Sequence, residues 1–419
     1  MLSSQYNIKQ NTQSGNAGIQ IFQDINTSSD QSVRFGEGAG KLSFGTGNAF
    51  VGYQAGEQNL GGSYDTFIGY QAGQFNQNSS STTLVGAFAG RQNTNGNETV
   101  YVGFRAGEFN LNGDQNVGVG AFALRENNSG SGTTAVGWAA AERNLDGDYN
   151  TMIGAEAGQN NRSGNYNTMA GYRVGRATFA ANENTFFGAY AGYSNELGSD
   201  NCLIGYRAGL DVINGNFNIA IGAYSLATGR INSNVPSDCN VVIGAFTNTT
   251  GSGNVVLGLN AGSNSTGDDN VLIGKDAALA FTGHKSVIVG SRALVDGNGE
   301  CNTMIGYGIA PSFVNGSNNV LIGVGADTYG TDTSYIIAIG TSNVQTYTHS
   351  IAIGDALDNK RRETIMIGFD INTIADNSVL IGKTLNINNA TVFKDPLSYP
   401  YIATTNTRAD ELFGPTDIA

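Results

Sequence analysis

Charge is what this sequence has least of. Only 13% of its 419 residues are Asp, Glu, Lys or Arg, and 34 acids outnumber 21 bases for a formal charge of −13. Binding to nucleic acid or to an anionic membrane surface relies on clustered Lys and Arg, so neither partner is expected. Cysteine is nearly absent. Cys202, Cys239 and Cys301 have no CxxC spacing, and with only His284 and His349 as histidines the chain offers neither a disulfide framework nor a zinc site. Long apolar runs are missing too, so no membrane insertion is expected. The opening residues 1–18 lack the basic start and apolar run of a secretory signal, which leads to the expectation of a chain made and folded in a cytoplasm with reduced thiols.

Glycine, by contrast, occurs 60 times, with Asn, Ser and Thr filling much of the remainder. Such a mix approaches low complexity, but 40% hydrophobic content with regularly spaced Ile, Val and Phe gives the chain something to bury. The phrase "NTMIGAEAG" at 150–158 returns as "NTMAGYRVG", "NTFFGAYAG", "NCLIGYRAG", "NVLIGKDAA" and "NTMIGYGIA". Taking the glycine after the apolar residue as a marker, the series runs Gly36, Gly52, Gly69 and so on to Gly222, with every step from Gly52 onward 17 residues long. After a 22-residue step it resumes at Gly244 and continues to Gly382 in steps of 14, 16 or 17, making 22 marked phrases.

That period is too short for helical or propeller repeats, and strand-like phrases punctuated by Gly and Asn point to one coil per repeat: an all-β, parallel β-solenoid, or β-roll, of about 22 coils of 14 to 17 residues. At about 4.8 Å per coil the shaft would be roughly 105 Å long. Loops such as "EFNLNGDQN" (108–116) carry the residues that tight turns need. The Ala-Gly pairs Ala55-Gly56, Ala72-Gly73, Ala106-Gly107, Ala191-Gly192 and Ala208-Gly209 read as a second, crowded bend. Asn167, Asn184, Asn201, Asn218, Asn240, Asn254 and Asn270 recur at one place in the coil, where stacked amides can hydrogen-bond along the axis. Calcium competes as a reading of these positions, but the GGxGxDxUx signature is absent and most are amides, so no metal or other cofactor is expected.

The organisation that follows is an N-terminal cap or attachment segment (1–31), a shaft of 17-residue coils (32–225), an insertion loop (226–240), a second shaft segment (241–385) and a Pro-containing cap or tip (386–419). The insertion is either an exposed binding loop or a seam between shaft segments. Catalytic chemistry is not expected. Acid pairs such as Asp146 and Asp148, or Asp268 and Asp269, sit in turn sequences as solvated caps, and neither histidine has a Ser or Cys partner at recognisable spacing. The aromatic residues just after the marker, Tyr53, Tyr70, Phe104, Trp138, Tyr172 and Tyr206, could stack on sugars, but are expected instead to fill the roll in alternate coils.

At the C-terminal end the phrases "HSIAIGDAL" (349–357), "ETIMIGFDI" (363–371) and "NSVLIGKTL" (377–385) resemble the head repeats of YadA-like trimeric adhesins, and the looser 17-residue form resembles repeats of phage and large-virus fibre proteins. The resemblance spans residues 32–385 and implies a parallel β-roll, three chains about one axis, and surface attachment. A bacterial autotransporter would add a signal peptide, a heptad-rich stalk and a membrane anchor. Their absence shifts the expectation to a virion fibre assembled in the host cytoplasm, joined to other virion proteins at one end and meeting a host-surface receptor, a glycan among the candidates. A bacterial adhesin head and a polysaccharide-degrading tailspike are the alternatives.

The residues themselves also ask for an assembly. Residues one and three before the marker share a strand face and are expected to point inward, which turns the residue two before it outward. That outward column is apolar, so Phe50, Phe67, Leu84, Met152, Met169, Phe186, Leu203, Leu272, Met304 and Leu321 are expected to form the interface of a homotrimer. Alternation alone leaves an exchange of the two columns open. No receptor-binding residue can be named.

Overall fold

The computed structural model describes residues 30–226, 238–247, 249–328, 333–345, 347–371, 378–385 and 401–404. Most of the expected end segments and of the insertion loop therefore lie outside the described residues. What is described is all-β, with no helix, and forms a parallel β-solenoid of about 19 turns. Twenty-three of its strands make one parallel sheet, to which every one of the 22 phrases contributes, Tyr401–Thr404 being the additional strand. About 19 turns stand against the 22 coils expected. The corresponding shaft length is roughly 90 Å at about 4.8 Å per turn.

Most phrases are three-residue strands that pair in register with the equivalent phrase of the next coil, as Thr66–Ile68 does with Thr83–Val85, while the last three, Ser350–Asp355, Ile365–Ile371 and Ser378–Leu385, run on through the marker glycine. In the earlier coils the marker glycine ends the strand. The marker's φ lies between 126° and 153° from Gly36 to Gly368, a conformation L side chains rarely adopt, and a Cβ on Gly69 would collide with the carbonyl of Gly86 in the coil above. The second bend is as crowded as its Ala-Gly pairs suggested. Ala55 and Ala72 are fully buried, and a Cβ on Gly56 or Gly73 would meet the ring of Phe50 or Phe67.

Those contacts reverse the expected strand faces. Phe50, Phe67, Leu84, Met152, Met169, Phe186, Leu203, Leu272, Met304 and Leu321 are all completely buried inside the coil, so none can face another chain. Residues one and three before the marker turn outward instead. The physical reason is the second bend: it brings the glycine four after the marker under the side chain two before it, leaving room there for a large residue. Size is traded between the two positions. Where the strand carries Phe67, Met152, Phe186 or Leu203, the bend carries Gly73, Gly158, Gly192 or Gly209; where it carries Gly118 or Ala220, the bend carries buried Leu124 or Leu226. Native packing density is thereby kept along the shaft.

Polar ladders complete the interior. The expected column is present, with the Asn184 Nδ2 and backbone N–H both donating to Asn167 Oδ1 at 3.1 Å, and Asn201, Asn218, Asn240 and Asn254 repeating the pattern on the coil before each. Asn270 joins it through its backbone N–H, which donates to Asn254 Oδ1 at 3.0 Å. A second amide column, unforeseen, runs through Asn59, Asn76, Asn93, Asn110, Asn127, Asn144 and Asn161 on the return path. Each of these amides caps its own turn as well; Asn127 Nδ2 donates to Asn110 Oδ1 at 2.6 Å and to the Gly130 carbonyl at 2.7 Å. The column stops where Thr178 takes the place of Asn, and Asn161 Oδ1 is left buried without a partner.

Candidate functional site

Two features of the outer surface repeat with the coil and are not covered by any other described element. The first is the outer face of the main sheet. Ile68, Ile153, Phe187, Ile204, Ile243, Ile305, Ile337, Ile353, Ile367 and Ile381 are exposed, Ile153 to 46% and Ile204 to 38%, with half-buried Thr and Val beside them at the position three before the marker. The apolar stripe anticipated from the sequence is thus real, but it is made by the complementary column. It runs the length of the described shaft, and an apolar stripe of that extent normally marks an interface.

The second lies just past the marker bend and contains the aromatic residues expected to fill the roll. They do not. Tyr70 is 48% exposed, Trp138 51% and Tyr206 42%, and successive rings form a ladder on the surface. Tyr53 stacks on Tyr70 with centroids 5.3 Å apart, and the series continues edge to face through Phe88, Phe104, Phe122 and Trp138 at 5.3 to 6.5 Å. A second run passes from Tyr172 through Tyr190, Tyr206 and Tyr224 to Phe246. The perpendicular pairing has a local cause: the ring sits one residue after the marker in one coil and two after it in the next, with Ala filling the vacated place at Ala87, Ala121, Ala189 and Ala223. Residues two after the marker hold φ near 55°, including Phe88 (61°) and Tyr190 (60°), a left-handed conformation that is costly for an aromatic residue.

Arginines are threaded through this ladder. Arg105 lies over Phe88 and Phe104, Arg125 over Phe109 and Phe122, and Arg173 over Tyr172. Most have carboxylate partners. Glu156, nearly buried, replaces the ring in the one coil that breaks the ladder; it accepts both Arg173 Nε and Nη2 at 3.0 Å and Arg176 Nε at 2.8 Å, and this bond holds the Arg173 guanidinium above its ordinary pKa. Arg125 reaches Glu142 at 3.2 Å and Glu108 at 3.5 Å, and Arg143 reaches Glu126 at 3.6 Å. Arg207 differs. It sits over three rings, Tyr190, Tyr206 and Tyr224, at 5.2 to 5.7 Å, has no ion pair among the described residues, and its buried Nε has no hydrogen-bond partner.

The acid pairs behave as turn caps. Asp148 Oδ1 accepts the Ser131 N–H at 2.7 Å, Asp146 Oδ1 the Ser129 hydroxyl at 2.7 Å, and Asp268 Oδ1 the Ser252 N–H at 2.8 Å, each reaching one coil back. His284 belongs to the same series, its Nδ1 accepting the Asp268 N–H at 2.9 Å, while His349 stacks on Tyr335. Among the described residues no group of three His, Cys, Asp or Glu is placed to hold a metal ion, and the three cysteines are free. Compared with known proteins, the chain matches no family model and no curated protein.

Proposed function

We propose that this chain is the subunit of a fibre or spike of a virus particle, that three copies assemble along their shafts, and that the fibre attaches the particle to a host surface. The observation that carries the reading is the exposed apolar column running the length of a rod-like solenoid. Burying the remaining exposed part of one such Ile contributes about 1 kcal/mol, whereas association costs on the order of 4–15 kcal/mol. A column repeated over about 19 turns exceeds that cost, and a short one would not. Three-fold pairing and the virion setting come from the resemblance of the repeats.

Two measurements test this. Mass spectrometry of purified particles should find the chain among the virion proteins; its recovery from a bacterial outer surface instead would assign it as an adhesin head. Sedimentation of the purified chain should give a trimer, and replacing Ile153, Ile204 and Ile243 together with Asp should split it into folded monomers. A stable monomer from the unmodified chain would overturn the assembly.

A further inference from the structure

The solenoid continues past Phe246 for many coils without the aromatic ladder: Leu259, Lys275, Ser291, the isolated Tyr307, Val324 and Thr341 occupy the equivalent place and the main sheet goes on pairing in register. The fold therefore does not require these rings. Tyr307 and Phe369 are exposed at that place too, but neither pairs with a neighbouring ring among the described residues. Exposed aromatics stacked coil upon coil, some in left-handed conformations and confined to one stretch of the shaft, call for a ligand.

We propose that the ladder binds a sparsely acidic polysaccharide lying along the shaft, with Arg207 receiving one of its carboxylates. The inference rests on the attachment reading and gives it a ligand class. Rings recurring once per coil, at a rise of about 4.8 Å, match the advance of an extended glycan by roughly one sugar, whose apolar C–H face packs on an aromatic surface. Charge selects among glycans. Arg105, Arg125, Arg143, Arg173 and Arg176 are occupied by Glu on the same face, and Arg91, over Phe88 and also without an ion pair among the described residues, donates its Nε to Gln74 Oε1 at 3.3 Å; Arg207 alone lies over three rings with neither kind of partner, in a chain of net charge −13. Two ladder cations without an ion pair among the described residues, Arg91 and Arg207, cannot balance a nucleic acid, which carries a charge on every nucleotide, but they suit a polymer with occasional carboxylates. The planar fork of Arg207, backed by Tyr190, Tyr206 and Tyr224, is free to form a bidentate pair.

The test uses the purified chain and defined hyaluronan oligosaccharides, in which carboxylates alternate with neutral sugars, followed by titration calorimetry and by the emission of the single tryptophan, Trp138, which lies on the ladder. Binding is expected, with a loss of about tenfold in Arg207→Gln, the effect of one charge-assisted hydrogen bond. Tyr206→Ala should also weaken it several-fold, and Arg292→Gln, at the equivalent place in the plain tract, should leave it unchanged. All three variants should melt with the unmodified chain. Absence of binding, equal losses from Arg207→Gln and Arg292→Gln, tighter binding of single-stranded DNA, or dissociation of the assembly by Arg207→Gln would each overturn the assignment. Failure here would leave particle composition untouched, so the fibre reading is judged separately.

Discussion

Between Gly52 and Gly222 every coil has 17 residues, while from Gly244 to Gly382 most have 14 or 16, and the two tracts close their coils differently. In the first, the return path is held by the buried column from Asn59 to Asn161, side chain to side chain. In the second, two-residue strands pair there instead: Thr249–Thr250 with Ser265–Thr266, Ala280–Phe281 with Asp296–Gly297, and Asp327–Thr328 with Val344–Gln345 and then Asp358–Asn359. The straighter return path satisfies backbone groups directly, in a 17-residue coil such as that joining Thr328 to Gln345 as well as in shorter ones. The sheet with its marker glycines is common to both tracts; the opposite wall is interchangeable. The same contrast separates the two surface features, since the apolar stripe follows the common wall to the end and the aromatic ladder stops at Phe246, in the first coil of the second tract.

The largest effect should fall on the shared wall and be equal in the two tracts. A Cβ on Gly154 would meet the carbonyl of Gly171, and one on Gly323 that of Gly340, both at φ above 130°. Gly154→Val and Gly323→Val are each expected to destabilise by about 4 kcal/mol, combining strain with backbone collision. Denaturant titration measures this, and tolerance at either site would show that the wall is not the common element.

The traded sizes inside the coil offer a sharper test, near the seam between tracts. Leu226→Gly should cost about 3 kcal/mol through an unfilled cavity, and Ala220→Leu about 2 kcal/mol by overpacking. Together they recreate the neighbouring coil, Leu203 with Gly209, and the double variant should lie within about 1 kcal/mol of the parent. Additive losses would mean the two positions do not share one space.

This trade also marks how far the sequence could be read. Period, parallel register, glycine bends and the column through Asn167 were legible because each depends on spacing alone. The sign of the strand alternation was not, since both faces are apolar and a period of two is blind to which face is inside. The reciprocal sizes at Phe67 with Gly73 and at Gly118 with Leu124 were the available signal, as was the β-branched bias of the column containing Ile68 and Ile153, which suits an open sheet surface rather than a filled interior. The return-path amides were missed although Asn with Gly three residues on recurs every 17 residues, at Asn93, Asn110, Asn127 and Asn144. The ladder was misplaced because a large ring after a bend looks the same in sequence whether it turns in or out.

The opposite walls should differ under equivalent substitutions. Asn127→Ala leaves the buried Asn110 Oδ1 without its amide donor, takes one of two amide donors from the Gly130 carbonyl and removes one of the acceptors of Asn144 Nδ2, so a loss of about 3 kcal/mol is expected. Thr266→Ala, in a two-residue strand held by backbone pairing, should change stability by about 0.5 kcal/mol or less. Hydrogen exchange on the return path of each tract would report the difference directly, and equal protection losses would erase the distinction between the walls.

The smallest effect concerns one coil of the first tract that breaks its own rule. Asp65 occupies the place held by Asn48, Asn116 and Asn150 in other coils, fully inside the structure, where burial pushes its pKa up to about 6 despite hydrogen bonds from the Thr82 N–H and hydroxyl and from Asn59 Nδ2. Because the folded pKa lies above the ordinary carboxylate value of 3.8, the folded state holds the proton longer, and the stabilising protonated form is complete below pH about 4 and lost as pH rises through about 6. The shift corresponds to about 3 kcal/mol, and loss of the Asn59 donor's acceptor in an amide variant offsets about 1 kcal/mol of it. Asp65→Asn should therefore stabilise the fold by about 2 kcal/mol at neutral pH and hold its stability level between pH 4 and 6, where the parent declines. The geometry accommodates the change, since Asn150 Nδ2 already faces Asn144 Oδ1 at 3.5 Å in the equivalent arrangement. Denaturant titrations of both chains across that pH range give the answer: parallel curves would mean that Asp65 is ionised at no cost inside the coil, and that a carboxylate serves the amide column as well as an amide does.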